Sequence, residues 1–243
     1  MRTAILIPAR MESKRLPGKP LLPAGGKPVI QWTIDAARAS KQATCVAVVT
    51  DSNEIVKQLV CQSPAIDVLL IEGQYRNGTE RTARTVPHPS IDRWKPQLFV
   101  NLQCDEVDLT GEDLDMLLAA FAADPSICVA TLACPLQLHD RADNAVVKIV
   151  PDRRGNAVYF SRWDLGAASL QHVGVYAIRA ASLQKYRDWP VGSCEQTENL
   201  EQLRWLENGI PIRVVQLDRH VRSINTERDL TEFNATCGTA VTA

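Results

Sequence analysis

Apolar and polar residues come in blocks along this chain, and the blocks are of two lengths. Short apolar runs at Thr3–Ile7, Cys45–Thr50, Asp67–Ile71, Leu98–Leu102 and Ile127–Cys134 are too brief for helices and are bounded by turn formers, which predicts buried strands. Between them lie segments with apolar positions at helical spacing. Val29, Trp32, Thr33, Ala36 and Ala37 make one stripe after a helix start at Lys27-Pro28, and Leu114, Leu117, Leu118 and Phe121 make another in a helix over Thr110–Phe121. Asp51-Ser52-Asn53-Glu54 caps a helix over Ile55–Cys61, and the loop Gly73–Arg84 turns into a further helix through Asn77-Gly78-Thr79-Glu80. Strand and helix in alternation predict an α/β fold with a doubly wound, mostly parallel mixed sheet.

The pattern changes in the second half. Asn144–Val150 and Ala157–Ser161 flank the turn Asp152-Arg153-Arg154-Gly155, which predicts a hairpin and hence a small antiparallel extension. His172–Arg179 reads as a strand, Glu195–Asn208 as a helix closed by Gly209, and Ile212–Gln216 and Val221–Ile224 as strands; Asn225–Leu230 opens a last helix. The 243 residues suit one domain over 1–243, with 144–180 contributing a small mixed-sheet lobe.

Composition narrows the function classes. A net charge of -1 gives no bulk attraction to nucleic acid. No apolar run reaches about 18 residues, so no membrane insertion is expected. The seven cysteines are dispersed without a CxxC pair, which argues against a zinc site or a disulfide framework and for a reducing, cytoplasmic setting. The chain opens directly on a strand, so no signal peptide is expected.

Candidate chemistry concentrates where the first strand ends. Pro8 stops the strand, and Arg10, Lys14, Arg15 and Lys19 follow on a loop punctuated by Pro17, Gly18 and Pro20. Four cations on one loop repel unless an anion sits among them; a polyphosphate meets that need, a solvated basic loop being the plain alternative. Ligands of open α/β sheets bind outside the carboxyl ends of strands, where this loop lies. A second cluster, Gln103-Cys104-Asp105-Glu106-Val107-Asp108, follows the strand Leu98–Leu102. Its acids either cap the next helix or offer hard oxygens to magnesium. Thr110 with Glu112 and Asp113 suffices for capping, which leaves Asp105 as the metal candidate.

The run Pro8-Ala9-Arg10-x-x-Ser13-x-Arg15-Leu16-Pro17-Gly18-Lys19-Pro20-Leu21 resembles the signature loop of the 3-deoxy-manno-octulosonate (Kdo) cytidylyltransferases, the CMP-Kdo synthetases. More distantly it is similar to other sugar nucleotidylyltransferases. Gly78-Thr79-Glu80-Arg81, Tyr159-Phe160-Ser161-Arg162, the strand from His172 to Tyr176, and Glu195, Glu198, Glu201, Gln202 and Arg204 match the family in order. The resemblance implies a glycosyltransferase-A-like, nucleotide-diphospho-sugar transferase fold. It implies a reaction in which CTP and Kdo, or a similar 2-keto-3-deoxy sugar acid, give the CMP-sugar and pyrophosphate for lipopolysaccharide or other cell-surface glycan synthesis. On the matching positions, Ala9, Arg10, Arg15, Lys19, Arg81 and Gln103 would bind the nucleotide, with Arg10, Arg15, Lys19 and Asp105 carrying the transfer. Asp105 and Asn225 would hold magnesium, and Arg162, His172, Tyr176, Glu198 and Gln202 the sugar acid. A homodimer is implied as well.

The chain departs from the family at several points. Asn77 stands for a serine, Cys104 for a glycine, Val107 for a proline, and Asn225 for the second metal-binding aspartate. The loop 163–171 is short. An amide at 225 can ligate magnesium but brings no charge. His172, Gly174 and Tyr176 share one face of a strand, with Gly174 leaving room between the rings. Glu198 and Gln202 stand four apart on one helix face, while Glu201 and Glu207 read as solvated. Two alternatives stay open: a different acidic sugar as acceptor, or a non-catalytic nucleotide-binding paralogue in which Asn225 is only a helix N-cap.

Overall fold

Strand β1 (Thr3–Ala9) is apolar throughout because the sheet has a layer of helices on each side of it. Ile5 and Ile7 face one layer and Ala4 and Leu6 the other. Full burial of each Ile or Leu here contributes about 1.5–3 kcal/mol. The computed structural model describes residues 1–13, 15–62 and 66–240.

A single 3-10 turn over Lys19–Leu21 leads to a minute hairpin, β2 (Pro23–Ala24) and β3 (Lys27–Pro28). Lys27 and Pro28 thus pair across that hairpin, and α1 (Val29–Ala39) begins just after them. The first half continues through β4 (Cys45–Thr50), α2 (Asn53–Gln62), β5 (Asp67–Leu70), α3 (Gly78–Thr85), the short α4 (Pro89–Asp92), β6 (Leu98–Leu102) and α5 (Gly111–Ala123). The second half comprises β7 (Val129–Cys134), β8 (Lys148–Pro151), β9 (Ala157–Ser161), β10 (Leu170–Arg179), α6 (Ala180–Asp188), α7 (Ser193–Glu198), α8 (Leu203–Glu207), β11 (Ile212–Gln216) and α9 (Glu227–Ala240).

The strands run in the order β11-β7-β10-β6-β1-β4-β5. Every neighbouring pair is parallel except those made by β10, which is antiparallel to β6 and to β7. The hairpin β8–β9 joins the edge of β10 as the antiparallel extension. One core layer takes Ile30 and Ile34 from α1, Ile55 and Leu59 from α2, and Leu114, Leu117, Leu118 and Phe121 from α5. The opposite layer takes Ala83 from α3, Leu183 and Tyr186 from α6, and Trp205 from α8. Among the described residues no helix is long and apolar enough to cross a membrane.

Three further expected elements, all in the second half, differ, and their hydrogen bonds show why. The helix over Glu195–Asn208 is two pieces: Asn199 adopts φ 53 and closes α7, with its backbone N–H donating to Glu195 O. Val221–Ile224 forms no strand, because its polar groups are used elsewhere. Gln171 Nε2 donates to Val221 O at 3.0 Å, and Ile224 N donates to Asp105 O at 3.0 Å. Residues 144–147 are not extended, since the fully buried Lys148 ammonium gathers the chain around itself. Its Nζ donates to the carbonyls of Asp143, Val146 and Arg162 at 2.6, 2.9 and 3.0 Å.

Candidate functional site

Strands β1, β4 and β6 are parallel neighbours, so their carboxyl ends open on one edge of the sheet, and the cation loop leaves from the middle one. Gly18 takes φ 70, a left-handed conformation that glycine adopts without strain, and its N–H donates to Met11 O at 3.0 Å. That turn launches the 3-10 segment carrying Lys19. Leu16 buries itself with Val107, Ile224 and Phe233 in a small apolar cluster. The cluster ties together the cation loop, the loop after β6 and the segment before α9, and the bond from Ile224 N to Asp105 O closes the junction.

As a result the cations meet the two metal candidates. Lys19 Nζ pairs with Asp105 Oδ2, and Arg15 Nη2 donates to Asn225 Oδ1 at 3.1 Å. Burial works against the Lys19 charge, but the Asp105 carboxylate outweighs it and holds the ammonium above the usual lysine value. Ala9 is buried at the end of β1, while Arg10 is exposed beyond it and carries no ion pair among the described residues. Lys14 lies outside the described residues.

The other acids of this loop face elsewhere. Asp108 pairs with Arg222, whose Nε and Nη2 donate at 2.8 and 3.0 Å. Thr110 and Asp113 form a capping box on α5, with Arg219 against Asp113. Glu106 is buried and accepts from Gly174 N at 2.7 Å; burial and the neighbouring Asp105 push its carboxyl up to about 8. The Cys104 side chain joins the core layer with Leu109 and Leu114, and burial pushes its thiol up to about 12, so it stays protonated.

Asn225 is not the cap of α9. Thr226 Oγ1 accepts from Asp229 N at 3.3 Å, and Asp229 Oδ2 accepts from the N–H groups of Asn225 and Thr226, each at 2.8 Å. The Asn225 amide is left to face Arg15, steadied by its Nδ2 donating to Ser223 Oγ at 2.9 Å. Among the described residues no three His, Cys, Asp or Glu side chains group into a closed metal cage. One carboxylate and one amide oxygen do fit magnesium in its usual protein setting, where one or two side chains share the ion with substrate phosphates and water.

Arg81 is buried, and its Nη2 donates to Asp51 Oδ2 at 2.5 Å while its guanidinium lies 5.1 Å from the Tyr75 ring. Nη1 is buried without a partner, a donor that a ligand would satisfy. Burial alone would raise the Asp51 carboxyl, but the Arg81 bond and charge bring it below its ordinary value, with help from Arg10. Asn77 is committed to structure: Oδ1 accepts from Glu80 N at 2.8 Å as the α3 cap, and Nδ2 donates to Tyr186 and Glu195, both at 3.3 Å.

The second half of the site lies on β10. Gln103 bridges to it, its backbone N–H donating to Gly174 O at 3.0 Å and its Nε2 to Glu201 Oε1 at 3.4 Å. A bulge between Val173 and Tyr176 keeps His172 and Tyr176 stacked, with centroids 5.3 Å apart, and Phe160 sits edge-on to His172 at 5.3 Å. His172 Nε2 is 3.0 Å from Thr131 Oγ1, and burial pushes the imidazole down to about 3, so it is neutral at pH 7. Gly174 leaves no space between those rings. A Cβ there would stand 2.7 Å from Glu106 Oε1 and 2.8 Å from Gln103 Oε1, so the glycine makes room for these two side chains instead.

Arg162 Nη1 donates to Asn144 O at 3.0 Å, and its backbone N–H donates to Glu198 Oε2 at 3.1 Å. Burial, then repulsion from Arg15, lower the Arg162 value. Glu198 also accepts from Ser161 Oγ at 2.8 Å and so braces the end of β9. Because Asn199 breaks the helix, Glu198 and Gln202 do not share a helix face; Gln202 is buried with Nε2 unpartnered. Glu201 is likewise no solvated acid. It is buried, accepts from Thr79 N at 2.9 Å, and burial raises its carboxyl. Glu207 is exposed but caps α7, accepting from Cys194 N at 2.9 Å and Glu195 N at 3.1 Å.

Sequence reasoning passed over Asp51, Ser161 and the role of Lys148. Asp51 had a usable signal, since it directly follows Thr50 at the carboxyl end of a strand beside β1. Ser161 acts through Glu198, 37 positions away, and Lys148 through backbone carbonyls that no side-chain pattern marks. A separate groove of about 620 Å³ lined by Tyr75, Arg76, Arg84 and Trp189 includes none of the cations of the β1 loop.

Residues 4–213 match the family model described as Cytidylyltransferase. The chain is 37% identical to the 3-deoxy-manno-octulosonate cytidylyltransferase of Anaeromyxobacter sp. (strain Fw109-5), covering 96% of each chain. It is 40% identical to the protein of that name from Chlorobium limicola, covering 95% of each. Among solved structures, CMP:2-keto-3-deoxy-manno-octonic acid synthetase complexed with CTP superposes with a TM-score of 0.87 at 33% identity, over 99% of this chain and 100% of the other. A cytidylyltransferase from Leptospira borgpetersenii, 17% identical with a TM-score of 0.60 over 94% of this chain and 83% of the other, shares the fold.

Proposed function

This chain belongs to the 3-deoxy-manno-octulosonate cytidylyltransferase family, and from that premise we propose that it joins CTP to Kdo, giving CMP-Kdo and pyrophosphate. The observation that carries the reading is the meeting of Arg15 with Asn225 and of Lys19 with Asp105 where the loop after β1 joins the loop after β6. The sugar's anomeric hydroxyl attacks the α-phosphorus through its oxygen and releases its proton to solvent, a new P–O bond forms there, and the bond to the β-phosphate breaks with pyrophosphate taking the electron pair. Arg10, Arg15 and Lys19 offset the charge on the triphosphate and on the departing pyrophosphate. Arg81, with a buried donor to spare, and Gln103 orient the nucleotide. Arg162 pairs with the sugar carboxylate, and the neutral His172, Tyr176, Glu198 and Gln202 shape the sugar side. Magnesium, held by Asp105 and Asn225, would draw charge from the reacting phosphate and orient it. We assign no side chain as general base; binding the two substrates in line supplies much of the rate.

The direct test is pyrophosphate release with CTP, Kdo and magnesium, compared with a set of other sugar acids. Kdo should give the highest kcat/KM. CTP binding without pyrophosphate release from any acceptor would leave only a binding protein.

We further propose that the protein acts as a cytoplasmic homodimer that supplies cell-surface glycan synthesis. Leu138 and Trp163 are 84% and 67% exposed on the two segments that the Arg141–Asp164 pair joins, and they are our candidate contacts for a second copy. Sedimentation should show a dimer that Trp163→Asp converts to monomer. All seven cysteines are unpaired, as a reducing compartment keeps them.

A further inference from the structure

Both oxygens assigned to the metal already carry a cation of the β1 loop. Lys19 sits on Asp105 and Arg15 on Asn225. Because residue 225 is an amide, these two positions contribute one negative charge between them, and Lys19 neutralises it. The Lys19 and Asp105 side chains are 12% and 10% exposed, so water does little to weaken their attraction. A divalent ion arriving alone would have to crowd between Asp105 and Lys19, beside Arg15, with no added negative charge to balance it.

We propose that Lys19 and Arg15 are stand-ins for the metal: they exclude the free ion and yield it Asp105 and Asn225 only when a polyphosphate draws them away. Metal and nucleotide then bind as one event. Each phosphate oxygen that takes a loop cation frees a ligand, and each freed ligand favours the metal. Linkage requires that metal and nucleotide raise each other's affinity by the same factor. The inference rests on the assignment of Asp105 and Asn225 to the metal.

Binding of Mn²⁺ to the full chain tests it without turnover. Water-proton relaxation separates protein-bound Mn²⁺ from the free ion and from Mn²⁺–CTP in solution. Without nucleotide, Lys19→Gln should bind Mn²⁺ about tenfold more tightly than the wild type, a change of roughly 1.4 kcal/mol. Lys19→Arg should exclude the ion as the wild type does, and adding Asp105→Asn to Lys19→Gln should erase the gain. The exposed Arg15→Gln, which leaves the buried pair untouched, should gain several-fold. Far-UV circular dichroism checks that each variant is folded. The inference is overturned if neither Lys19→Gln nor Arg15→Gln gains affinity, or if the wild type binds Mn²⁺ equally well with and without CTP. Failure of the underlying assignment looks different: Asp105→Asn would then bind Mn²⁺ with CTP present as well as the wild type does.

Discussion

Around β1 the cleft is ionic, and its side chains hold one another: Lys19 on Asp105, Arg15 on Asn225, Arg81 on Asp51. Around β10 it is built on stacked rings, with Arg162 and Glu198 as its charged groups. His172 stacks on Tyr176, and the backbone of Gly174 is bonded to Glu106 and Gln103. On the proposed function the ionic side can exchange partners, since each loop cation that leaves a protein oxygen would find a phosphate oxygen. The aromatic side has less freedom, because its rings and the Gly174 backbone are held by fixed neighbours, although Gln202 Nε2 stays unpartnered. Transition-state charge is therefore expected to be handled on the first side and acceptor shape on the second.

Charge removal should separate the two sides most strongly. Asp105→Ala is expected to lower pyrophosphate release several-hundred-fold, about 3–4 kcal/mol of transition-state stabilisation, and Lys19→Ala about 2–4 kcal/mol. Turnover within tenfold of the wild type for both, at saturating substrates, would mean that the ionic side is not where the reaction is helped. Packing should matter next. In Gly174→Ala the new methyl meets Glu106 Oε1 and Gln103 Oε1 at 2.7 and 2.8 Å, too close to keep the present arrangement. Overpacking of this kind costs about 1–3 kcal/mol, and the KM for the sugar acid should rise more than that for CTP. An unchanged urea midpoint with unchanged KM values would show that β10 yields more easily than its contacts suggest.

The smallest effect is a pH dependence. His172 titrates near 3 in the folded chain against an ordinary value of 6.5, so as pH falls the unfolded chain takes up the proton first. The stability present above pH 6.5 is lost progressively between about 6.5 and 3. Between pH 7.5 and 5.5 the wild type should lose roughly 1 kcal/mol more than His172→Phe. Urea titrations at the two pH values measure the difference, and parallel losses in both proteins would contradict a buried neutral imidazole.

Most strands were legible because each is a short apolar run ended by turn formers, and the antiparallel hairpin because two such runs flank a turn. Local pattern could not show that Asn199 takes a left-handed conformation, so one helix was expected where there are two. Val221–Ile224 looks like a strand because apolar residues bound it; instead it is a loop that buries Val221 and Ile224 and spends its hydrogen bonds on Gln171 and Asp105. In the site, the nearness of Arg15 and Lys19 to Asp105 and Asn225 follows from strand ends and a long motif. The second-half contacts did not follow so directly. Glu201 meets Thr79 and Asp51 meets Arg81 across long sequence separations, Lys148 is spent on backbone carbonyls, and Gly174 serves Gln103 and Glu106 rather than the neighbouring rings.

The apolar knot of Leu16, Val107, Ile224 and Phe233 has a bearing on how the protein is born. A ribosome delivers Leu16 early and Phe233 more than two hundred codons later. Until that aromatic ring emerges and docks edge-on against Trp32, a nascent chain can fold much of its sheet yet lacks the fastening under its catalytic loops. Half-made copies should therefore be unable to consume CTP, however well their first strands have paired.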